Sequence, residues 1–401
     1  MKILVFAHRL ELGGTQTNAI ELAAGLRDRH GFDVVFHATP GPAVDLLHRK
    51  GLDLVPAPDA RLHPSLARMR LLRDLVRRER PDLIHAWDWW QGLEAYGAVH
   101  LTMRVPLIIS DMMMTLTHVL PRQISTTFGV LAVQRQAAQQ GWSRCAYLPP
   151  PVDLAANAPD LLDRAGCRAA MGLSDRDIAL VTVSRLSHTM KADSLARTID
   201  CVRQLGRVLP LRLAIVGDGT ARGTLQALAN RANRDLGRKA IILHGAMTDP
   251  RPAYAAADIV LGMGGSALRG MAFGRPVIVT GDRGFARLFD ADSVDWFADG
   301  GIHGIGTAAD DGLAVPAMVS AVRRLASMPA LRDSLGEFGR DHVRRHHDLD
   351  ALTDRLAVLC HAAITQGTVP SIQDAARSAV IYLRERRFQT TSRDKTADGL
   401  R

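Results

Sequence analysis

The sequence predicts an α/β protein of two doubly wound parallel-sheet lobes that face each other across a cleft. Three observations carry this. Short apolar runs alternate with longer helical patterns, and the series occurs twice. The run Pro149-Pro150-Pro151 interrupts the alternation between the two series. Apolar residues are 47% but aromatics only 5%, so the core is mostly aliphatic, as in parallel sheets covered by helices. A chain of 401 residues suits two or three domains.

In the first lobe, Ile3–Ala7, Asp33–Phe36, Leu52–Val55, Leu83–His85, Leu107–Ser110 and Ala146–Leu148 read as strands. Gln16–Arg29, Pro64–Arg80 and Gln91–Arg104 read as the helices between them. The stretch from Pro149 to about Cys167 reads as a linker, because a triple proline is stiff and joins no ladder. In the second lobe the strands are Ala179–Val183, Leu213–Val216, Ala240–Leu243, Asp258–Leu261 and Val277–Thr280. Its helices are Ala192–Leu205, Thr220–Leu236, Arg251–Ala257 and Ser266–Phe273. After about residue 315 the pattern is helical only, over Ala317–Ser327, Ala330–His347 and Ala351–Thr365. The expected domains are therefore 1–160 and 168–345, with helices 346–388 returning towards the first lobe. Residues 389–401 are polar and expected to be disordered.

The net charge is +9. Its densest clusters are Arg68, Arg70, Arg73, Arg77, Arg78 and Arg80, then Arg344-Arg345-His346-His347, then Arg384 to Arg387. They are scattered over helical patterns, so they read first as solvated faces, and no nucleic-acid partner is expected. Peripheral contact with an anionic membrane is the alternative. Cys145, Cys167, Cys201 and Cys360 form no CxxC pair, which points to free thiols, no metal site and a reducing compartment. No run of about 18 apolar residues spans a membrane. Lys2–Ala7 already reads as a buried strand, so no secretory leader is expected. The expected location is cytoplasmic, with the inner membrane face as the alternative. High Ala and Arg usage hints at a GC-rich bacterial genome.

Five segments carry chemistry. Gly13-Gly14 follows the first strand and precedes a helix, where a tight turn exposes amides and a positive dipole end; a plain strand-to-helix turn is the rival. Arg185 follows the first strand of the second sheet, and Lys191 opens the next helix. A forked cation and a point cation at a strand end suit a pyrophosphate, against a surface ion pair. Gly217-Asp218-Gly219 is a turn with a structural or a binding role at even weight. His244-Gly245 with Met247 and Asp249 follows a strand, where glycine admits a flat ligand; a satisfied core histidine is as good a reading. Gly264-Gly265-Ser266-Ala267-Leu268-Arg269 is the most specific. Ser266 reads as an N-cap, Gly274 as the stop, and the helix start as an anion site, with a structural turn as the rival.

Together these segments resemble the GT-B glycosyltransferases, in particular the retaining group often called family 4 (glycosyltransferase group 1), over roughly residues 1–365. Ser184-Arg185-Leu186 with Lys191 resembles that family's pyrophosphate clamp, and Val216-Gly217-Asp218-Gly219 its G-D-G turn. His244-Gly245, Tyr254-Ala255-Ala256-Ala257-Asp258 and Ser266–Val277 resemble the base-facing segment, the Y-x-x-A-D helix and the S-x-L-E-A-M-A-x-G-x-P-V-I block. In the first lobe Gly13-Gly14 and Pro81–Ala86 resemble the early glycine pair and the P-D-[LIV]-[LIV]-H strand, and Pro149–Asp153 resembles the family's entry to the linker. The family's paired glutamates are lost, with Leu261 and Arg269 in their places. Guanidinium has no acceptor for ribose hydroxyls. Asp111 stands where many relatives place a histidine, and one extra residue separates Arg185 from Lys191.

The resemblance implies Rossmann-like GT-B lobes and transfer of a sugar, with retention, from a nucleotide-diphosphate donor to an acceptor hydroxyl. No cofactor or metal is implied, and the setting is natural-product or cell-surface glycan synthesis. Gly13, Gly14, Arg185, Lys191, Gly217, His244, Gly245, Met247 and Gly264 to Arg269 are the expected donor contacts. Arg185, Lys191, His85 and Asp111 are the expected catalytic groups. Trp87, Trp89 and Trp90 form a candidate acceptor platform, with core or interface packing as the rival. A catalytically weakened binding partner of another transferase is the second reading. Epimerisation or phosphorolysis is the third.

Overall fold

The computed structural model describes residues 1–60, 63–188, 191–306, 314–368 and 370–398. The chain divides into two compact units, Met1–Pro149 with Leu352–Arg401, and Pro150–Ala351.

The first unit holds a seven-stranded parallel sheet. In chain order its strands are β1 Lys2–Phe6, β2 Asp33–Ala38, β3 Leu54–Pro56, β4 Leu83–Trp87, β5 Leu107–Asp111, β6 Ser125–Phe128 and β7 Cys145–Tyr147. The spatial order is β3-β2-β1-β4-β5-β6-β7, so the winding reverses between β1 and β4. β1 and β4 run in register from Ile3 against Leu83. Both strands are nearly all buried, which is why they read as unbroken apolar runs rather than alternating ones.

β6 escaped the sequence reading because Ser125-Thr126-Thr127 is polar. Its hydroxyls are satisfied inside: Thr126 Oγ1 donates to Ile124 O (3.0 Å), and Thr127 Oγ1 pairs with Ser110 Oγ (2.7 Å). The expected helix Gln91–Arg104 is three pieces, Trp89–Ala95, a π-turn Tyr96–His100, and Leu101–Met103. The chain's last helices pack on this unit. Gly25 in the helix Gly14–His30 meets Thr353, where a Cβ would lie 2.5 Å from Thr353 Oγ1. Arg29 holds Asp354 through Nε (3.0 Å) and Nη2 (2.8 Å). The last helix is Ile372–Asp398, reaching into the stretch expected to be a disordered tail; residues 399–401 lie outside the described residues. Its Asp374 accepts from Gln123 N (3.0 Å) and its Tyr382 hydroxyl donates to His63 O (2.5 Å).

The second unit holds six strands: β8 Ile178–Val183, β9 Leu211–Val216, β10 Ile241–Gly245, β11 Ile259–Gly262, β12 Val277–Thr280 and β13 Ala286–Leu288. Their order is β10-β9-β8-β11-β12-β13, with the reversal between β8 and β11. β13 is antiparallel, and its three residues are too few to show a pattern in sequence. The expected linker is not a linker. Val152 is fully buried, its N–H donates to His347 O (2.7 Å), and the helix Arg164–Ala170 anchors Arg168 on Asp258 (3.0 Å). Only the break at Pro149/Pro150 is kept from that reading. Among the described residues, no helix is long and apolar enough to cross a membrane.

Candidate functional site

Open parallel sheets offer ligands a crevice at the carboxyl ends of the strands, where the winding reverses. In the second unit this point lies between β8 and β11. Ser184-Arg185-Leu186 leaves β8 and is fastened to the next turn. Ser184 N–H donates to Val216 O (2.9 Å), Leu186 N–H to Asp218 O (2.9 Å), and Ala221 N–H to Leu186 O (2.7 Å). Gly217 and Gly219 permit this approach. Their φ values are +141° and +153°, and a Cβ on Gly217 would lie 1.8 Å from Ser184 O. The Gly217 amide is spent on Gly245 O (2.7 Å). This turn therefore buttresses the Arg185 loop, and the Gly217 amide itself is not available to a ligand.

Arg185 is exposed and Lys191 half-buried. Burial first, and then the neighbouring Arg185, push the Lys191 ammonium down to about 8, opposed by Asp282. Two cations are thus held near one another, the electrostatic signature of a site for a multiply charged anion.

The helix Gly265–Ala272 follows β11. Its N-cap is Gly264 at φ +54°, so Ser266 is not the cap that the sequence suggests. Ser266 Oγ instead closes the preceding turn, donating to Met263 O (2.9 Å). The Gly264 amide goes to Ile302 O (2.6 Å) and the Leu268 amide to Gly264 O (3.0 Å). Leu268 is also 1% exposed and packs in the core of this unit. The amides of Gly265, Ser266 and Ala267 precede the first intrahelical bond and point along the positive dipole end. Arg269 reaches back over this turn, with Nη1 3.4 Å from Gly265 O. Leu261 is buried in β11, one residue before its carboxyl end at Gly262.

At β10, His244 is half-buried, its Nε2 has no partner, and burial followed by Lys239 lowers its pKa. Gly245 takes φ +81°. Met247 packs on the apolar core, and Asp249 is held by Arg251 (2.6 Å). A cavity of about 550 Å³ in this unit lies elsewhere, at the amino edge of the sheet. There Asp258 is already consumed by Arg164 (2.6 Å), Arg168 and Ala179 N–H (2.7 Å). The chemistry favours the carboxyl edge, where the described cations Arg185 and Lys191 face one carboxylate, Asp282.

In the first unit the reversal lies between β1 and β4. Gly13 caps the helix Gly14–His30; a Cβ on Gly13 would lie 2.5 Å from Gln16 Oε1, while Gly14 faces open space. His85 and Trp87 are each 1% exposed. His85 Nε2 meets Ser110 Oγ at 2.7 Å, and burial pushes the imidazole down to about 3. Both side chains, the expected catalytic His85 and the expected acceptor-binding Trp87, lie in the core of the sheet. Trp89 and Trp90 are half-buried and stacked, with centroids 3.6 Å apart, and Trp90 lies edge-on to Tyr382 of the last helix.

Asp111 is buried at the tip of β5 with Oδ2 unpartnered, and burial raises its carboxyl to about 7. Two neighbours escaped the sequence reading. Asp88, at the tip of β4, takes φ 75° and ψ 157°, a region that is essentially glycine's. Its Oδ1 accepts from Trp89 N–H (2.8 Å), and its Oδ2 lies 3.7 Å from His8 Nε2 at the tip of β1. A polar residue directly after a strand was the available signal. Among the described residues, no group of three or more His, Cys, Asp or Glu side chains is arranged to hold a metal ion.

Comparison with known proteins agrees with this architecture. A model described as Glycosyltransferase Family 4 matches residues 12–111, and one described as Glycosyl transferases group 1 matches residues 177–327. No curated protein sequence matches the chain. Among solved structures, a glycosyltransferase from Rickettsia africae is 13% identical with a TM-score of 0.69, over 90% of this chain and 99% of that one. HepE from Anabaena, in complex with UDP and glucose, is 16% identical with a TM-score of 0.69, over 89% and 98%. Sucrose-phosphate synthase from Thermosynechococcus elongatus is 15% identical with a TM-score of 0.68, over 91% and 99%. At these identities the likeness is one of fold, and the fold is GT-B.

Proposed function

Taking the chain as a GT-B glycosyltransferase, we propose that it transfers a hexose from a nucleoside-diphosphate donor to an acceptor hydroxyl with retention of configuration. The observation that carries this is the pairing of Arg185 with Lys191 beside the unspent amides of Gly265–Ala267, in the lobe that matches the group 1 model. The support from relatives is that HepE is in complex with UDP and glucose. Retention rests on the family-4 resemblance of the motifs.

The leaving group is a diphosphate, and its charge grows as the sugar departs. Arg185 offers a fork of N–H donors, Lys191 a point charge, and the helix start three aligned amides. This set stabilises the departing oxygens with no divalent ion, and the reaction is proposed to need none. Arg269 donates but does not accept, so it does not take over a carboxylate's grip on ribose. On the acceptor side, Asp111 is the group assigned to the hydroxyl's proton, with Trp89 and Trp90 as aromatic surface for the acceptor. The enzyme is placed in cell-surface glycan or natural-product synthesis, in the cytoplasm or on the inner membrane face.

The test is nucleoside diphosphate release from a panel of nucleotide sugars, with wild type and Arg185→Ala/Lys191→Ala. Release by wild type and a fall of about 100-fold or more in the variant is expected. Unchanged release by the variant refutes the clamp. Arg269 favours a second reading, a binding protein with weakened turnover: there, wild type shows a thermal shift with a nucleotide sugar but no release.

A further inference from the structure

The reversal point of the first sheet carries two side chains that the proposed reaction leaves unused. β1 and β4 are neighbours there, and the winding reverses between them. His8 stands two residues beyond the end of β1 and Asp88 one beyond the end of β4, so both lie at the carboxyl edge where such sheets receive ligands. Their side chains are 29% and 23% exposed, so a ligand reaches both, and His8 Nε2 lies 3.7 Å from Asp88 Oδ2. Asp88 keeps φ 75° and ψ 157°, where glycine sits without strain and another residue persists only when its surroundings hold it. Here they do. The Asp88 N–H donates to Ser110 O (2.8 Å), and Oδ1 accepts from the Trp89 N–H (2.8 Å). One carboxylate oxygen is thus spent on the following helix, and the other is left facing His8.

Hydrogen-bond partners fix what this pair offers. His8 Nδ1 lies 3.1 Å from Arg9 O, and a carbonyl only accepts, so Nδ1 carries the hydrogen. The buried Gln16 amide nitrogen lies 3.2 Å from Arg9 O and within 3.3 Å of both ring nitrogens, and only the unprotonated one can receive it. The ring is therefore neutral, with Nε2 as an acceptor. Asp88 Oδ2 is an acceptor too, and at 3.7 Å the two do not bond to each other. Among the described residues, no lysine or arginine pairs with Asp88. The gap calls for two donors side by side. Neighbouring hydroxyls of a sugar ring meet that need, and a lone alcohol supplies only one. The adjoining surface agrees. Asp88 caps the helix that begins with Trp89 and Trp90, half-buried and stacked on each other. An aromatic face takes the apolar C–H side of a sugar while its edge hydroxyls reach polar partners.

We propose that Asp88 and His8 are acceptor-binding residues that receive two neighbouring hydroxyls of a sugar, so that the acceptor is itself a sugar. This rests on the glycosyltransferase reading above. The test follows the His8 ring of the full chain by NMR, identified as the histidine resonance missing from His8→Phe. The chain is titrated with glucose, galactose and mannose, and with cyclohexanol, a ring that bears one hydroxyl. At least one sugar is expected to shift the resonance to saturation, and cyclohexanol to leave it in place. Asp88→Asn keeps an oxygen for the Trp89 amide and loses the charge. Its affinity for that sugar is expected to fall about 10-fold or more, with calorimetric affinity for UDP within about two-fold of wild type's. Asp88→Gly, which adopts the same backbone conformation without a carboxylate, is expected to lose the sugar to the same degree. No shift with any of the sugars, an equal shift with cyclohexanol, or undiminished sugar affinity in both variants overturns the proposal and leaves the transferase reading intact. If wild type releases no nucleoside diphosphate from any nucleotide sugar, the transferase reading falls and the acceptor role falls with it.

Discussion

Replacing Asp111 by Asn should make the protein's stability less dependent on pH, and the sign follows from where the carboxyl sits. Asp111 is fully buried, with Oδ1 taking the Met113 amide (3.2 Å) and Oδ2 taking nothing. Burial, opposed by the Thr117 hydroxyl and the Met113 amide and aided by the charge of Asp88, raises its carboxyl from an ordinary 3.8 to about 7. The folded state thus prefers the protonated acid. Below pH 4 the group is protonated folded or unfolded and contributes nothing to pH dependence. Between about 4 and 7 the unfolded chain releases the proton and the folded chain keeps it, so stability falls as pH rises. Between these two values the stability lost amounts to ~4 kcal/mol by pH 8. Asn resembles the protonated acid in shape and does not titrate. The gap between Asp111→Asn and wild type should therefore be near zero at pH 4 and reach ~4 kcal/mol in favour of the variant at pH 8. Urea unfolding followed by tryptophan fluorescence measures this, since Trp87, Trp89, Trp90 and Trp142 all belong to the first unit. A gap that stays flat across this range refutes the buried-acid account. If Asp111 handles the acceptor's proton, the same variant loses turnover while gaining stability, the trade expected of a strained functional group.

Gly217→Ala should cost several kcal/mol and lower the rate of nucleoside diphosphate formation, because its Cβ would meet Ser184 O at 1.8 Å; a variant with unchanged melting and kinetics refutes the buttress role. Trp87→Ala should cost about 3–5 kcal/mol and Trp89→Ala markedly less, since Trp87 is 1% exposed and Trp89 half-buried; equal costs by thermal melting contradict the core assignment. Activity should survive EDTA without loss, given the cations and amides assigned to the diphosphate, and restoration of a lost activity by added Mg²⁺ sinks that assignment.

The chain alternation was legible because parallel strands buried on both faces are short apolar runs, and β1, β4, β8 and β11 are of that kind. β6 was not, because Thr126 and Thr127 are buried polar residues whose partners come from Ile124 O and β5. The cations of the donor site were legible by type and position after a strand. Which amides they share the site with was not, since that depends on where the backbone of Gly264 and Leu268 is spent. The burial of His85 and Trp87 was not legible for a related reason: a polar or aromatic residue near a strand end points inward or outward according to register. His85 points in and is closed off by Ser110. Asp88, one residue beyond the strand, is turned out by an unusual φ that no local pattern announces.

The substitution of Arg269 for a carboxylate has a consequence for the whole donor site. A glutamate beside Arg185 and Lys191 would supply acceptors for hydroxyls but would also oppose the negative diphosphate. Arg269 reverses both effects, adding positive charge over the same helix turn and removing the acceptors. Hydroxyl recognition then has to come from other acceptors. Among the described residues of this edge, Gly265 O at the helix start and the Asp282 carboxylate that faces Lys191 are of that kind. On this logic the missing carboxylate is a change in how the donor is held, and restoring it alone, as Arg269→Glu, should weaken diphosphate binding rather than improve it.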